Sequence, residues 1–175
     1  SGSRMQDIAD LAGINKALLH YYFRNKDKLF EQIFEKKSAL LFPQMKELLE
    51  QAFSFEELIY MFIEKYIHLL LDNPFLPLFV ITTINKPDNE NFIKKLPTDI
   101  IKKLIMVLQK DVQEGKVKPV NPLHFMLSVL SMCAFPFMAK PMITEVTKAN
   151  DEQFKMLMES RIVEIQNYVK VLLHH

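Results

Sequence analysis

The chain has 175 residues and a mass of 20.6 kDa, and its 49% hydrophobic and 25% charged residues are typical of a folded globular protein rather than a disordered one. No two of its three glycines, Gly2, Gly13 and Gly115, lie within one motif, which excludes the glycine-rich phosphate loops of nucleotide enzymes. The net charge of +1 argues against nucleic-acid binding through bulk charge, although residues 1–37 carry a net +2 and the remainder a net −1.

Apolar residues recur at helical spacing along almost the whole chain, and no segment alternates with a period of two. This pattern predicts an all-α fold. The predicted helices cover residues 4–12, 15–23, 26–52, 55–72, 74–85, 98–114, 122–138 and 151–173. Pro43 is expected to kink or break the third of these helices, and Gly115 is expected to follow the end of the sixth.

Capping residues mark several of the predicted helix starts. Ser54 and Glu57 have the spacing of a capping box, in which each side chain satisfies a free backbone amide of the other residue. Asn73, Asn121 and Asn150 stand directly before predicted helices, where an asparagine side chain accepts from the first turn.

The segment 119–139 contains no Lys, Arg, Asp or Glu over 21 residues, a length that would span a bilayer. Its interior polar residues and prolines, such as Asn121 and Pro136, favour a buried core or interface helix, with a membrane span as the alternative. Cys133 is the single cysteine and is interpreted as a small buried hydrophobic residue. Without a signal peptide or a disulfide, a cytoplasmic location away from membranes is expected.

Residues 4–23 are predicted to form two helices joined by a tight turn. Gly13 lies at the corner, where a left-handed backbone conformation favours a residue without a Cβ. Ala9 is small enough to permit close approach of the two helices. Asn15 is expected to cap the second helix and to direct its free N–H groups toward a phosphate. This is the pattern of a helix-turn-helix, whose second helix enters the DNA major groove.

The outward positions of that second helix combine one cation with apolar, aromatic and hydrogen-bonding groups. Such groups suit base edges, thymine methyls and phosphates. Lys26 stands in the first turn of the next helix, where a cation opposes the helix dipole unless it serves another purpose such as a phosphate contact. The predicted DNA-binding residues are Asn15, Lys16, Ala17, Leu18, His20, Tyr21 and Lys26.

The segment from Met5 to Phe30, MQDIADLAGINKALLHYYFRNKDKLF, resembles the DNA-binding signature of TetR/AcrR-type transcriptional regulators. The resemblance covers about residues 3–34 and implies that Ala17 and Leu18 read bases, that His20 and Tyr21 contact backbone or bases, and that Lys26 contacts a phosphate. Asn15 replaces the usual Ser or Thr and still caps. His20 replaces the usual Tyr, either as a neutral hydrogen-bonding substitute or as a pH-sensitive group.

The resemblance also implies two domains. The first is a helix-turn-helix DNA-binding domain over 1–37, and the second is a ligand-binding and dimerisation domain over 38–175, built as a larger helical bundle. Members of the family begin with one further helix that packs under the helix-turn-helix. The chain as printed starts after that helix, so weakened DNA binding is expected from it.

The second domain holds most of the 14 Phe and 10 Met residues of the chain. The enrichment is consistent with an ordinary core, and it favours a deformable apolar cavity because Met is adaptable and Phe has no polar atoms. The resemblance implies a regulatory ligand, expected to be a small apolar or aromatic effector. The candidate ligand-binding residues are Tyr66, His68, Phe79, Thr83, Met106, His124 and Phe125, with Thr82 as a further polar candidate.

The helices predicted over 122–138 and 151–173 are expected to form a four-helix dimer interface, an arrangement that the resemblance implies. A two-fold dimer would match a palindromic operator. The alternative is that both apolar stripes pack inside one protomer. The predicted interface residues are Phe125, Val129, Met132, Phe154, Leu157, Met158, Ile162, Ile165 and Val169.

No pattern of catalytic residues is found, and the five histidines lack zinc-ligand spacing, so no enzyme activity, cofactor or metal is expected. The sequence therefore predicts a dimeric, ligand-responsive regulator that binds double-stranded DNA. It is interpreted as a repressor that an effector releases from a palindromic operator. The alternative is a non-regulatory protein that retains the fold and binds apolar ligands or serves as a scaffold.

Overall fold

The structure, a computed structural model, describes the backbone of residues 16–51, 53–87 and 89–174, and the side chains of 31–39, 42–51, 53–87 and 89–174. Among these residues the regular structure is helical, with no strand, so the predicted all-α class is confirmed. The helices are α1 (Lys16–Glu50), α2 (Phe55–Asp72), α3 (Leu76–Ile84), α4 (Glu90–Ile93), α5 (Thr98–Gln113), α6 (Pro122–Met138), α7 (Lys140–Thr147) and α8 (Asp151–Leu173).

The chain divides into two compact units, Ser1–Leu40 and Leu41–His175. In the first unit, the break predicted between residues 23 and 26 is wrong, because α1 continues through both positions. Residues 16–42 contain neither glycine nor proline, so nothing in the backbone interrupts the helical hydrogen bonds there. In the second unit, Pro43 lies inside α1 without ending it.

Helix α2 is at the centre of the second unit and packs against α5, α6 and α8. Its side chains at every fourth position, Phe55, Ile59, Ile63 and Ile67, have no exposed surface, so they form one continuous buried face. Each such side chain contributes about 1.5–3 kcal/mol on burial. Around this centre, α3 packs on α4 and α6, and α7 and α8 each pack on α6.

Three of the predicted caps are confirmed. Ser54 and Glu57 form the capping box of α2, Asn121 accepts from two backbone amides at the start of α6, and Asn150 caps α8. The prediction for Asn73 is wrong. Its side-chain amide donates to Leu69 O at 2.9 Å, so it closes α2 rather than opening the next helix, which begins three residues later.

Two short helices, α4 and α7, were not predicted. Helix α7 follows α6 after one residue with a bend of 67°. The first turns of α4 and α7 have no side-chain cap, so the sequence carries little signal for their start. Gly115 follows α5 with a φ of 69°, which confirms its predicted place after that helix.

No single helix of the described chain is long and apolar enough to cross a membrane, although two bent pairs, α2 with α3 and α6 with α7, would pass by length and composition.

Candidate functional site

The predicted DNA-reading residues occupy the first part of the chain. Asn15 lies outside the described residues. Lys16, Ala17, Leu18, His20, Tyr21 and Lys26 are all on α1, whose side chains are described only from residue 31 onward. Their individual roles therefore stay predictions. For these residues the structure describes only the helical backbone of α1.

Three of the predicted ligand-binding residues lie on the surface of the second unit. His68, Met106 and His124 are exposed on three different helices, and Met106 is 67% exposed. The three side chains face solvent rather than one enclosed cavity, and their role in ligand binding stays a prediction. The sequence pattern did not separate these exposed residues from buried ones, because neighbouring positions on a helix already face different directions.

The two predicted phenylalanines are buried but lie in separate aromatic pairs. Phe125 packs edge-to-face on Phe55 with ring centroids 5.5 Å apart, at the start of α2. Phe79 makes an edge-to-face pair with Phe92, also with ring centroids 5.5 Å apart, between α3 and α4. Phe125 and Phe79 therefore belong to two different aromatic contacts, and they do not pack on each other in a shared ring pair.

Tyr66 is a partly buried phenol on α2, and burial raises its pKa to about 12, to which the nearby Cys133 of α6 contributes. Burial also raises the pKa of the Cys133 thiol to about 12, against the opposing charge of Arg161. Both groups are therefore neutral near pH 7, and Cys133 is a poor nucleophile. Arg161 was not predicted, because a single arginine on a charged helix face carries no distinguishing signal.

Arg161 joins the last long helix to α6. Its Nε donates to the backbone carbonyl of Met132 at 3.0 Å, next to Cys133. Three helices thus bring a phenol, a thiol and a guanidinium close to one another within the bundle. These groups could orient a polar part of a bound molecule while the surrounding side chains hold its apolar part.

Thr83 on α3 is another predicted ligand-binding residue whose polar atom lies in the interior. Its Oγ1 is shielded from solvent and has no hydrogen-bond partner among the described residues. Its neighbour Thr82 is exposed, and that hydroxyl donates to Leu78 O at 2.8 Å. The two threonines are adjacent in sequence, and only the direction of each side chain separates them.

Most of the residues predicted for a dimer interface face the core of the protomer instead. Six of the nine have at most 5% exposure: Phe125, Val129, Phe154, Met158, Ile165 and Val169. These six side chains are enclosed within their own protomer, and their place in a dimer interface stays a prediction. Met132 and Ile162 are partly buried, and Leu157 is 43% exposed.

A second set of apolar residues on the same two helices is exposed. Helices α6 and α8 run antiparallel, since Met132 meets Arg161 and Phe137 packs on Phe154 with centroids 5.9 Å apart. This register brings Phe135, which is 55% exposed, to the level of Leu157. The other exposed large apolar residues of the two helices are Leu123, Leu127, Met156, Val163, Tyr168, Val171 and Leu172.

Within the part of the chain that the structure describes, no three His, Cys, Asp or Glu side chains are grouped so that they could hold a metal ion.

Residues 1–33 match the family model described as bacterial regulatory proteins, tetR family. No curated protein sequence matches the chain. Among solved structures, the chain is similar to the transcriptional regulator FadR from Bacillus subtilis in complex with stearoyl-CoA, with a TM-score of 0.48 and 18% sequence identity. That similarity covers 92% of this chain and 86% of that one.

Proposed function

Since residues 1–33 identify the chain as a TetR-family transcriptional regulator, we propose that it is a homodimeric repressor that a small effector releases from a palindromic DNA operator. The match to the family model carries this proposal, because the matched residues include every position predicted to contact DNA. We propose no catalytic step, and we propose that the protein acts in the cytoplasm, where its DNA is. The domain limits 1–37 and 38–175 are part of the proposal.

The DNA claim is tested by selecting duplexes from a random pool with the full chain and measuring their affinity at several salt concentrations. A repressor that contacts several phosphates loses affinity steeply as salt rises, and its selected sites show two-fold symmetry. Tyr21→Ala should reduce the affinity for the selected sites. Binding to duplexes without sequence preference would instead favour the non-regulatory ligand-binding or scaffold protein.

The dimer is proposed to form through the exposed apolar residues of α6 and α8. Phe135 and Leu157 offer apolar area that one protomer leaves uncovered, and their positions on two adjacent helices favour a four-helix contact with the same surface of a second copy. Phe135→Glu should shift the chain from dimer to monomer in sedimentation. Met106→Glu, at a more exposed apolar site on α5, is the control and should leave the dimer intact.

The effector is proposed to bind inside the second unit, among its helices. Tyr66 and Thr83 are the polar candidates that remain in the interior, and Phe79 and Phe125 supply apolar surface there. An effector releases DNA only when it binds the DNA-free conformer more tightly than the DNA-bound one. Addition of a true effector should therefore lower operator affinity, and operator DNA should lower effector affinity by the same factor.

A further inference from the structure

Among the buried side-chain nitrogen and oxygen atoms of the described residues, the hydroxyl oxygen of Thr83 has no hydrogen-bond partner. Several other hydroxyls on the described helices donate to a carbonyl of the preceding turn, as Ser128 does to His124 O at 2.9 Å and Thr144 to Lys140 O at 2.9 Å. Buried polar atoms in folded proteins almost always have a partner, so an unpartnered one requires a reason.

The usual acceptor for Thr83 is already in use. That acceptor is the carbonyl of Phe79, four residues earlier, and it accepts the Thr82 hydroxyl at 3.0 Å. A carbonyl oxygen has two lone pairs, and the second is directed at the backbone N–H of the helix itself. The Thr83 hydroxyl makes no hydrogen bond to its own helix or to any other described residue, so its hydrogen-bonding capacity is left for a molecule from outside.

The surroundings of this hydroxyl favour an uncharged partner. Helix α3, LPLFVITTI, has no ionisable side chain, and one turn before Thr83 the buried Phe79 packs edge-to-face on Phe92. A charged group brought here would lose its hydration without meeting an opposite charge on this helix, whereas a neutral hydroxyl, amide or carbonyl needs only one hydrogen bond. The threonine hydroxyl can both donate and accept it.

Helix α3 is also weakly anchored. Of its nine residues only Leu76, Pro77 and Phe79 are buried, and its first turn has no side-chain cap. Leu78 and Ile81 are about half exposed on its outer side. A segment with few buried contacts opens at low free-energy cost, so it can admit a molecule that the closed packing around Thr83 excludes.

We propose that Thr83 is the anchor of a neutral, mainly apolar ligand with one hydrogen-bonding group, which enters by displacing α3. The inference rests on the proposed effector response and names the chemical class of the effector. In the closed conformer the hydroxyl is unpartnered, and in the ligand-bound conformer it is satisfied. This difference gives the ligand its preference for the open conformer.

The first test measures the thermal stability of the ligand-free protein. Thr83→Val keeps the shape of the side chain and removes the unpartnered oxygen, so its Tm should rise by about 2–4 °C. Thr82→Val is the matched control, one residue away, and removes a hydroxyl that has acceptors, so its Tm should not rise. A lower Tm for Thr83→Val would show that the hydroxyl is partnered and would overturn the proposal.

The second test compares three probes on the full chain by calorimetry: 1-naphthol, its near-isostere 1-methylnaphthalene, and the anion 1-naphthoate. The wild type should bind 1-naphthol about 3–10 times more tightly than 1-methylnaphthalene, and Thr83→Val should lose this preference. Thr83→Ser keeps the hydroxyl and should keep the preference. An unchanged preference in Thr83→Val, tightest binding of 1-naphthoate, or no probe binding by the wild type would each overturn the proposal.

These outcomes are separate from those of the regulatory proposal. A chain that discriminates between the probes through Thr83 but binds duplexes without sequence preference would support the ligand site and reject the repressor. If the chain binds a symmetric operator but Thr83→Val has the same probe preference as the wild type, the repressor is supported and the ligand site is rejected.

Discussion

The backbone N–H of Phe55, at the first position of α2, donates to the carboxylate of Asp111 on α5 at 3.3 Å. Asp111 is only 7% exposed, and its other oxygen lies 3.6 Å from Lys116 Nζ. A buried carboxylate is tolerated here because it meets the positive end of a helix and a cation together. The contact joins the central helix to the linker that follows α5.

Replacement of Asp111 should therefore destabilise the second unit. Asp111→Ala removes the acceptor of a buried amide and should lower the free energy of unfolding by about 2 kcal/mol. Asp111→Asn keeps an acceptor without the charge and should cost less. Denaturant unfolding gives both values, with Glu64→Gln, an exposed position in the middle of α2, as a control that should stay within about 0.5 kcal/mol of the wild type.

Lys148 ends α7 with a φ of 54°, a left-handed conformation that crowds its Cβ. Lys148→Gly should raise the free energy of unfolding by about 1 kcal/mol, because glycine adopts this conformation without that cost. The mutation also removes the ion pair of Lys148 with Glu145. Lys148→Ala removes the same ion pair but keeps the Cβ, so the glycine variant should be the more stable of the two. Equal stabilities would contradict the strain argument.

Glu56 and Tyr60 make part of the stability of the chain depend on pH. The pKa of the Glu56 carboxyl is lowered from 4.5, first by the hydrogen bond that Tyr60 donates at 2.6 Å and then by His174. Because the pKa of Glu56 is depressed in the folded state, its ionised carboxylate stabilises the fold fully above pH 4.5. This stabilisation is lost as pH falls through the lower pKa of the folded state. Tyr60→Phe should lower stability at neutral pH and reduce this acid sensitivity.

Unfolding measured across acidic and neutral pH distinguishes this effect from a general loss of packing. The gap between wild type and Tyr60→Phe should narrow as the carboxylate is protonated. Tyr168→Phe, on the exposed side of α8, is the control, and its difference from wild type should not vary with pH. A constant gap for Tyr60→Phe would reject the role of Glu56.

Lys26 is predicted to contact a phosphate rather than a base. Lys26→Ala should weaken binding to all duplexes by a similar factor and lower the slope of log affinity against log salt by about 1. Affinity titrations at several salt concentrations measure both effects. Lys102→Ala removes an equal charge from the exposed face of α5 and should leave the slope unchanged. A loss confined to one sequence would indicate base reading instead.

The sequence alone predicted features that depend on contacts between near neighbours. The capping box of Ser54 and Glu57 requires only residues three apart, and the glycine after α5 requires only its own backbone, so both were visible as patterns. Asn73 shows the limit of such patterns. Its side chain can bond forward to open a helix or backward to close one, and the sequence does not distinguish the two.

Length, composition and periodicity predicted an all-α fold with an apolar second part, and the spacing around Gly13 predicted a helix-turn-helix in the first part. What each apolar face meets was decided only by the tertiary structure. Val129 and Ile165 were predicted to meet a partner and instead fill the core of their own protomer, while Phe135 on the same helix as Val129 remains exposed. Periodicity fixes which side chains share a helix face, but the neighbour of that face depends on how distant segments pack.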